Sequence, residues 1–284
     1  MSIVVTGATG HLGRHVVEQL LEKVPAERIT AVVRDEAKAA DFAARGVRVA
    51  VADYNAPETF DGLFAAGDKV LLISGNEFDK GRVGQHTVVI EAAKAAGAAL
   101  LAYTSAPGSL TAALADDHRA TEEVLLASSL PYSLLRNGWY HENYTENLAP
   151  VLEHNAVVQS AGDGRISSAS RADYAAAAVA VLTGEGHENT TYELGGDEAW
   201  GFAEYAAELS RQTGKEIVYS PVPTETLTEI LVGAGLPAPL AGILAGVDTS
   251  IEKGELVVSS GDLSRLIGRP TTPLTQAITA ALKS

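Results

Sequence analysis

Gly7, Gly10 and Gly13 stand three apart in the stretch Thr6-Gly-Ala-Thr-Gly-His-Leu-Gly13. The apolar run Ile3, Val4 and Val5 precedes it, and a helical pattern follows. Between a strand and a helix, such glycines allow a tight turn, let the backbone approach a pyrophosphate, and let the helix pack closely on the strand. The helix start then turns its unpaired N–H groups and positive dipole end toward the anion. Gly7, Ala8, Thr9, Gly10, His11 and Leu12 are therefore candidate contacts to a dinucleotide, the other reading being a structural turn. No Gly-Lys-Ser/Thr follows, so this is not a mononucleotide phosphate loop.

Arg34 closes the second apolar run. An acidic residue there would accept from a ribose 2′-hydroxyl and favour NAD. An arginine pairs with a 2′-phosphate and favours NADP. NADPH is the expected cofactor, with NADH as the second candidate. Asp35 argues the other way unless it caps the next helix. Asp53 follows the third run, where it could accept from an adenine amino group or close a turn. Ser74, Gly75 and Asn76 follow the fourth, outside the strand ends where a doubly wound sheet holds its ligand.

Proton-transfer machinery is harder to find. Ordinary short-chain dehydrogenases place a Lys four residues after a Tyr, which lowers the phenol pKa for proton exchange with an alcohol or ketone. None of the 9 tyrosines has Lys at that spacing. Where the pair belongs, the chain reads Asp116-Asp-His-Arg-Ala-Thr-Glu122. His118 and Glu122 lie one helical turn apart, either as an ion pair facing the site or as a solvated face. No Gly-x-Ser-x-Gly elbow occurs. His11 and His15 lack the Glu of a zincin, so no metal is expected. These absences favour an acceptor that is stabilised as it takes up hydride. A quinone becomes a hydroquinone anion and a cationic triarylmethane dye becomes neutral. Holding the nicotinamide in place then supplies most of the effect.

Leu134-Leu-Arg-Asn-Gly-Trp-Tyr-His-Glu-Asn143 follows the sixth run. Trp139 and Tyr140 either stack on a flat acceptor or anchor a helix in the core. Asn137 and Asn143 are placed to hydrogen-bond an acceptor oxygen. Gly162-Asp-Gly164 reads as a hairpin turn. Arg171 and Asp173 stand at a helix start, where the acid suits the dipole and the arginine reaches a phosphate or braces the turn.

The elements that carry these residues have a clear rhythm. Strands are expected at 3–6, 29–33, 47–52, 70–74, 100–105 and 132–135, with helix-length segments between them. These runs are rich in Val, Ile and Leu and mostly unbroken by polar residues, as strands covered on both faces are. Leu12, Val16, Val17, Leu20, Leu21 and Val24 form one helical stripe that ends before Pro25. This predicts an α/β fold with a doubly wound parallel sheet and right-handed crossovers. Residues 1–135 would be the Rossmann-type core. Residues 136–284 would add sheet elements and a smaller, mostly helical domain. Helices are expected at 139–154, 172–182, 203–213, 225–233, 239–246 and 274–283, with strands at 157–159, 191–194 and 217–219.

Composition sets limits. The 284 residues are 46% hydrophobic and 20% charged, an ordinary globular balance. The net charge of −15 argues against nucleic acid as the main partner. There are no cysteines, hence no disulfide and no thiolate chemistry. No leader pattern precedes the first strand and no apolar run reaches the roughly 18 residues of a membrane span. A cytoplasmic protein without membrane contact is expected. Self-association is left open.

Seven segments together carry a resemblance: the glycine turn, Arg34, Ala102-Tyr-Thr-Ser105, 134–140, Ala161-Gly-Asp-Gly164, Ser170-Arg-Ala-Asp-Tyr174 and Leu266-Ile-Gly-Arg-Pro270. They resemble the NmrA-like atypical short-chain dehydrogenases, most of all the type 2 NAD(P)H:quinone oxidoreductases, with triarylmethane dye reductases as close relatives. The resemblance implies a site between a Rossmann domain and a smaller C-terminal domain. It implies two-electron quinone reduction with NADPH and without flavin. Cofactor contacts would come from the glycine turn, Arg34, 74–76, Asn137, Gly138, Trp139, Tyr140 and His141, to which the residue reading alone adds Asp53 and Arg171. Tyr103, Ser105, Trp139, Tyr140 and Asn143 would face the acceptor, with Asn137, Tyr140 and His118 as candidate catalytic groups. The loop 76–84 would bear on acceptor choice. Some NmrA-like proteins instead bind the dinucleotide and regulate partners without turnover. The missing Tyr–Lys pair suits that too, while Trp139 and Tyr140 favour an enzyme.

Overall fold

The computed structural model describes residues 2–75, 81–112 and 115–283. In the first half, strands and helices alternate: β1 Ile3–Val5, α1 His11–Leu21, β2 Ile29–Val33, α2 Ala40–Ala44, β3 Arg48–Val51, β4 Lys69–Leu72, α3 Arg82–Ala96, β5 Leu100–Ser105, α4 Asp116–Ala127 and β6 Tyr132–Asn137. Next come α5 Glu142–Thr145, α6 Ala149–His154, β7 Ala156–Gln159, β8 Arg165–Ile166, α7 Arg171–Thr183 and β9 Thr190–Leu194. The chain continues through β10 Trp200–Gly201, α8 Phe202–Thr213, β11 Val218–Pro221, α9 Thr224–Gly233, α10 Ala238–Glu252, α11 Asp262–Ile267 and α12 Leu274–Ala281.

The main sheet is seven-stranded and parallel, in the order β3-β2-β1-β4-β5-β6-β9. This is the doubly wound arrangement that the alternating pattern predicts. Successive side chains of β1 pass to opposite faces, as a period of two requires. Ile3 and Val5 join the core under α1 and α7, and Val4 joins the core under α3 and α4. The α1 stripe is buried at Leu12, Val16, Val17 and Leu20. Each such side chain contributes about 1.5–3 kcal/mol by leaving water. The order reverses between β1 and β4, which opens a crevice beyond the strand ends.

A third core lies beside the sheet, built from Leu110, Leu148, Val157, Ile166, Trp200, Phe202, Tyr205 and the inner face of α10. Here the structure departs from the expected elements. The helix expected over 139–154 is two short helices, α5 and α6. Pro150 has no N–H to continue a helix but is tolerated in the first turn of a new one, which is where α6 puts it. Helix α10 continues past Gly246, because Val247, Asp248 and Ile251 extend its buried face. The turn at Gly162-Asp-Gly164 exists, with Gly162 at φ +53 and Gly164 N–H donating to Ala161 O over 2.8 Å. It is not a hairpin: β7 pairs parallel with β11, and β8 pairs antiparallel with β10. Helix α11 has only six residues, too few for a readable period. No helix among the described residues is long and apolar enough to cross a membrane.

Candidate active site

One cleft of about 850 Å³ runs from the glycine turn after β1, along the ends of β2, β3, β4, β5 and β6, to the apolar faces of α9 and α10. At its start Gly7 holds φ +61, and Gly10 N–H donates to Gly7 O over 2.9 Å. A Cβ on Gly13 would sit 2.2 Å from Gly7 O, so only glycine lets α1 approach this closely. The N-cap, Gly10, offers no side-chain cap, and the first turn of α1 carries no acid. Thr9, Gly10, His11 and Leu12 line the cleft here. Ala8 is buried outside it, donating its N–H to Val32 O.

Arg34 stands exposed at the rim. Asp35 caps the following turn by accepting from Ala37 N–H at 3.0 Å. Asp53 reaches the cleft, but its Oδ1 also closes a turn by accepting from Asn55 N–H at 2.9 Å. Under this wall Tyr54 hydrogen-bonds Thr6 Oγ1 at 2.5 Å and Ile73 O at 2.9 Å, and burial pushes its phenol pKa up. Ser74 N–H donates to Thr104 Oγ1 at 2.9 Å, and Gly75 N–H donates to His86 Nε2 at 3.0 Å. Asn76 and much of the 76–84 loop lie outside the described residues.

His118 and Glu122 form neither the ion pair nor the solvated face expected of them. Both are buried. Glu122 receives two hydrogen bonds from Arg136, at 2.9 and 2.7 Å, and one from the Ser105 hydroxyl at 2.6 Å. Arg136 also reaches Glu193 at 2.8 Å, and these two acids hold its pKa above the ordinary range. His118 instead lies 2.9 Å from the Tyr103 hydroxyl through Nδ1. His118 and Ser105 line the cleft, whereas Tyr103 is fully buried behind them.

At the end of β6 the chain passes through the cleft wall. Asn137 is buried, and its Oδ1 accepts no hydrogen bond among the described residues. A Cβ on Gly138 would lie 2.9 Å from the Tyr174 hydroxyl and 3.0 Å from Leu194 O. Trp139 lines the cleft and packs on the third core. The Tyr140 ring sits edge-on to Tyr174 at 5.3 Å, with the Arg171 guanidinium 5.2 Å over its face. Arg171 also pairs with Glu146, so it braces this corner while facing the cleft. Asn143 lines the cleft. His141 does not: its ring lies 2.8 Å from Ser168 Oγ and 2.9 Å from Thr272 O, tying α12 to the body.

Several cleft residues escape local reading. Arg82 is buried 3.5 Å from Asp117. Leu227, Leu231, Leu244 and Val247 form the apolar far end, and Asp248 stands beside them. Of these only Asp248 leaves a sequence trace, as an acid in an otherwise apolar helical run. The uncapped helix start, the close approach at Gly13 and the orphaned Asn137 oxygen all fit a dinucleotide laid across the strand ends. No cluster of three or more metal-ligating side chains occurs among the described residues.

A family model described as NAD(P)H-binding matches residues 7–185. Quinone oxidoreductase 2 of Escherichia coli is 46% identical over 278 residues, covering 97% of both chains. The chain belongs to the NAD(P)H-binding, NmrA-like family. Two solved members of this family superpose along its whole length. The NADPH-dependent quinone oxidoreductase from Escherichia coli, complexed with NADPH, has a TM-score of 0.95 at 45% identity, covering 99% of each chain. Triphenylmethane reductase from Citrobacter, complexed with NADP(H), has a TM-score of 0.95 at 43% identity, covering 99% of this chain and 100% of that one.

Proposed function

We propose that the protein reduces quinones with NADPH by direct two-electron hydride transfer, without flavin. The observation that carries this reading is a continuous cleft joining a phosphate-type glycine turn to an apolar, aromatic-walled end. When bound, NADPH supplies the hydride. The turn Gly7–Leu12 and the α1 N-terminus hold its pyrophosphate, with Thr9, Gly10 and His11 at the surface. Arg34 pairs with the 2′-phosphate. Asp53 takes the adenine end, and Ser74 and Gly75 lie along the crossing. Asn137 offers its unpaired Oδ1 to the carboxamide, and Gly138, Trp139, Tyr140 and Arg171 wall that end. Residues 1–135 thus hold the phosphates and adenine end of the cofactor, and the elements from 136 onward wall its carboxamide end and close over the acceptor. Ser105, Trp139, Tyr140 and Asn143 surround a planar ring, and Leu227, Leu231 and Val247 keep water from it. Positioning two flat reactants in a dry slot is the main contribution the chain makes.

The test mixes purified protein, NADPH and a soluble benzoquinone, and follows the absorbance of the reduced nicotinamide with no flavin added. Rapid oxidation supports the reading. NADPH binding without oxidation, by benzoquinone or by a cationic triarylmethane dye, overturns it in favour of a dinucleotide-binding regulator.

A further inference from the structure

A chain of hydrogen bonds behind the cleft wall has its direction set by the backbone. Gly75 N–H points at His86 Nε2, 3.0 Å away on α3. A backbone N–H only donates, so His86 Nε2 must accept. Burial, and then the Arg82 guanidinium, push the His86 pKa down to about 3, so the ring is neutral and its proton sits on Nδ1. That Nδ1 lies 2.9 Å from Thr121 Oγ1, whose own hydrogen goes to Asp117 O at 2.7 Å. Thr121 Oγ1 therefore accepts from His86 Nδ1–H.

The Tyr103 hydroxyl lies 3.4 Å from His86 Nδ1 and 2.9 Å from His118 Nδ1. With His86 Nδ1 acting as a donor, the hydroxyl hydrogen goes to His118. Burial, and then Arg82, His86 and Arg119, push the His118 pKa down to about 3. A neutral ring that accepts at Nδ1 carries its proton on Nε2. Among the described residues nothing hydrogen-bonds this Nε2, and it is not a sealed atom; His118 lines the cleft. The neighbouring Ser105 hydroxyl cannot take that role, because it donates to Glu122 at 2.6 Å.

We propose that His118 donates its Nε2–H to the carbonyl oxygen of the acceptor and stabilises the negative charge that gathers there as hydride arrives. Tyr103 and His86 are positioning residues that fix the tautomer. The inference rests on the quinone-reductase reading above. Hydride brings two electrons and one hydrogen to the quinone, and the hydroquinone anion takes its remaining proton from water. His118 keeps its own proton. Handing it on would require a proton from Tyr103 in return, and burial disfavours the phenolate. The donor is thus a fixed dipole aimed at developing charge.

The experiment compares turnover of benzoquinone with turnover of a cationic triarylmethane dye in the whole protein loaded with NADPH. The dye loses charge on taking up hydride and has no use for an oxyanion donor. His118→Phe should lower the quinone-to-dye rate ratio by roughly 10–100-fold, below the ~10²–10³ of an acyl-transfer oxyanion hole because hydroquinone charge is delocalised. His118→Gln, with an N–H near the same place, should restore part of that ratio. Quinone turnover should show no inflection from His118 between about pH 5.5 and 8. The groups bearing on the ring are Arg82 and His86 on α3, Tyr103 on β5 and Arg119 on its own helix, while Asp117 and Glu122 bear on Tyr103. Nitrogen-15 spectra of the resting protein should place the His118 proton on Nε2, and Tyr103→Phe should release that tautomer. An unchanged ratio in His118→Phe, or a proton on Nδ1, overturns the proposal. A wild-type protein that oxidises NADPH with neither acceptor overturns the underlying reading instead, while the tautomer measurement still judges the hydrogen-bond chain.

Discussion

Replacing Asp248 by Asn should stabilise the protein at neutral pH and do nothing for it in acid. Asp248 lies on the inner face of α10, is only 3% exposed, and accepts from Ser160 N–H at 2.6 Å. Burial raises its pKa from the ordinary 3.8 to about 6, the Ser160 hydrogen bonds offsetting part of the effect. The folded state therefore holds a proton that the unfolded chain has already released between about pH 4 and 6. The carboxyl's contribution to stability is complete below pH 4 and is lost as pH rises through 6. Two pKa units at about 1.36 kcal/mol each give a cost of ~3 kcal/mol for the ionised form at pH 7.5. Asparagine keeps an oxygen for Ser160 N–H and carries no charge, but its amide hydrogens need partners. The net gain expected is ~1–3 kcal/mol at pH 7.5. Urea unfolding of both proteins at several pH values from 4 to 7.5 gives the difference, in which the other titrating groups cancel. A gain that is constant over this range, or larger in acid, would refute the linkage argument.

Two further substitutions probe the cofactor end. Gly13→Ala puts a methyl group 2.2 Å from Gly7 O and 2.8 Å from Ala8 Cα, both backbone atoms that cannot swing away. It should cost ~1–3 kcal/mol and weaken NADPH binding at least about tenfold. A variant with unaltered thermal unfolding and NADPH titration would show that α1 does not need this approach. Arg34→Ala should weaken NADPH by ~10–100-fold while leaving NADH nearly unchanged, the loss of a charge-assisted contact to the 2′-phosphate. Equal losses for both nucleotides in parallel titrations would remove Arg34 from that role.

The parts legible in the sequence are those written in local period and punctuation. Strand β2 reads as Ile-Thr-Ala-Val-Val, apolar but for Thr30, and all five residues are buried. The glycine turn works the same way, because tight turn and close approach are both properties of the residues within it. What spacing cannot show is which distant group completes a buried polar one. Histidine, threonine and glutamate on α4 look like a wet face, since no partner stands nearby in the chain. Yet His118, Thr121, Glu122 and Leu125 are the buried residues of that helix, set at i, i+3, i+4 and i+7. That is core spacing filled with polar groups. Arg136 on β6 and Ser105 on β5 neutralise and hydrogen-bond Glu122, and Tyr103 on β5 meets His118. Without them the stripe would leave polar groups buried and unsatisfied, at about 1–3 kcal/mol for each uncharged group and more for the carboxylate. A polar stripe at apolar spacing therefore predicts partners on the neighbouring strands. Here those strands end at the cleft, so the same stripe that misreads as solvent-facing backs the cleft wall, with His118 in its lining.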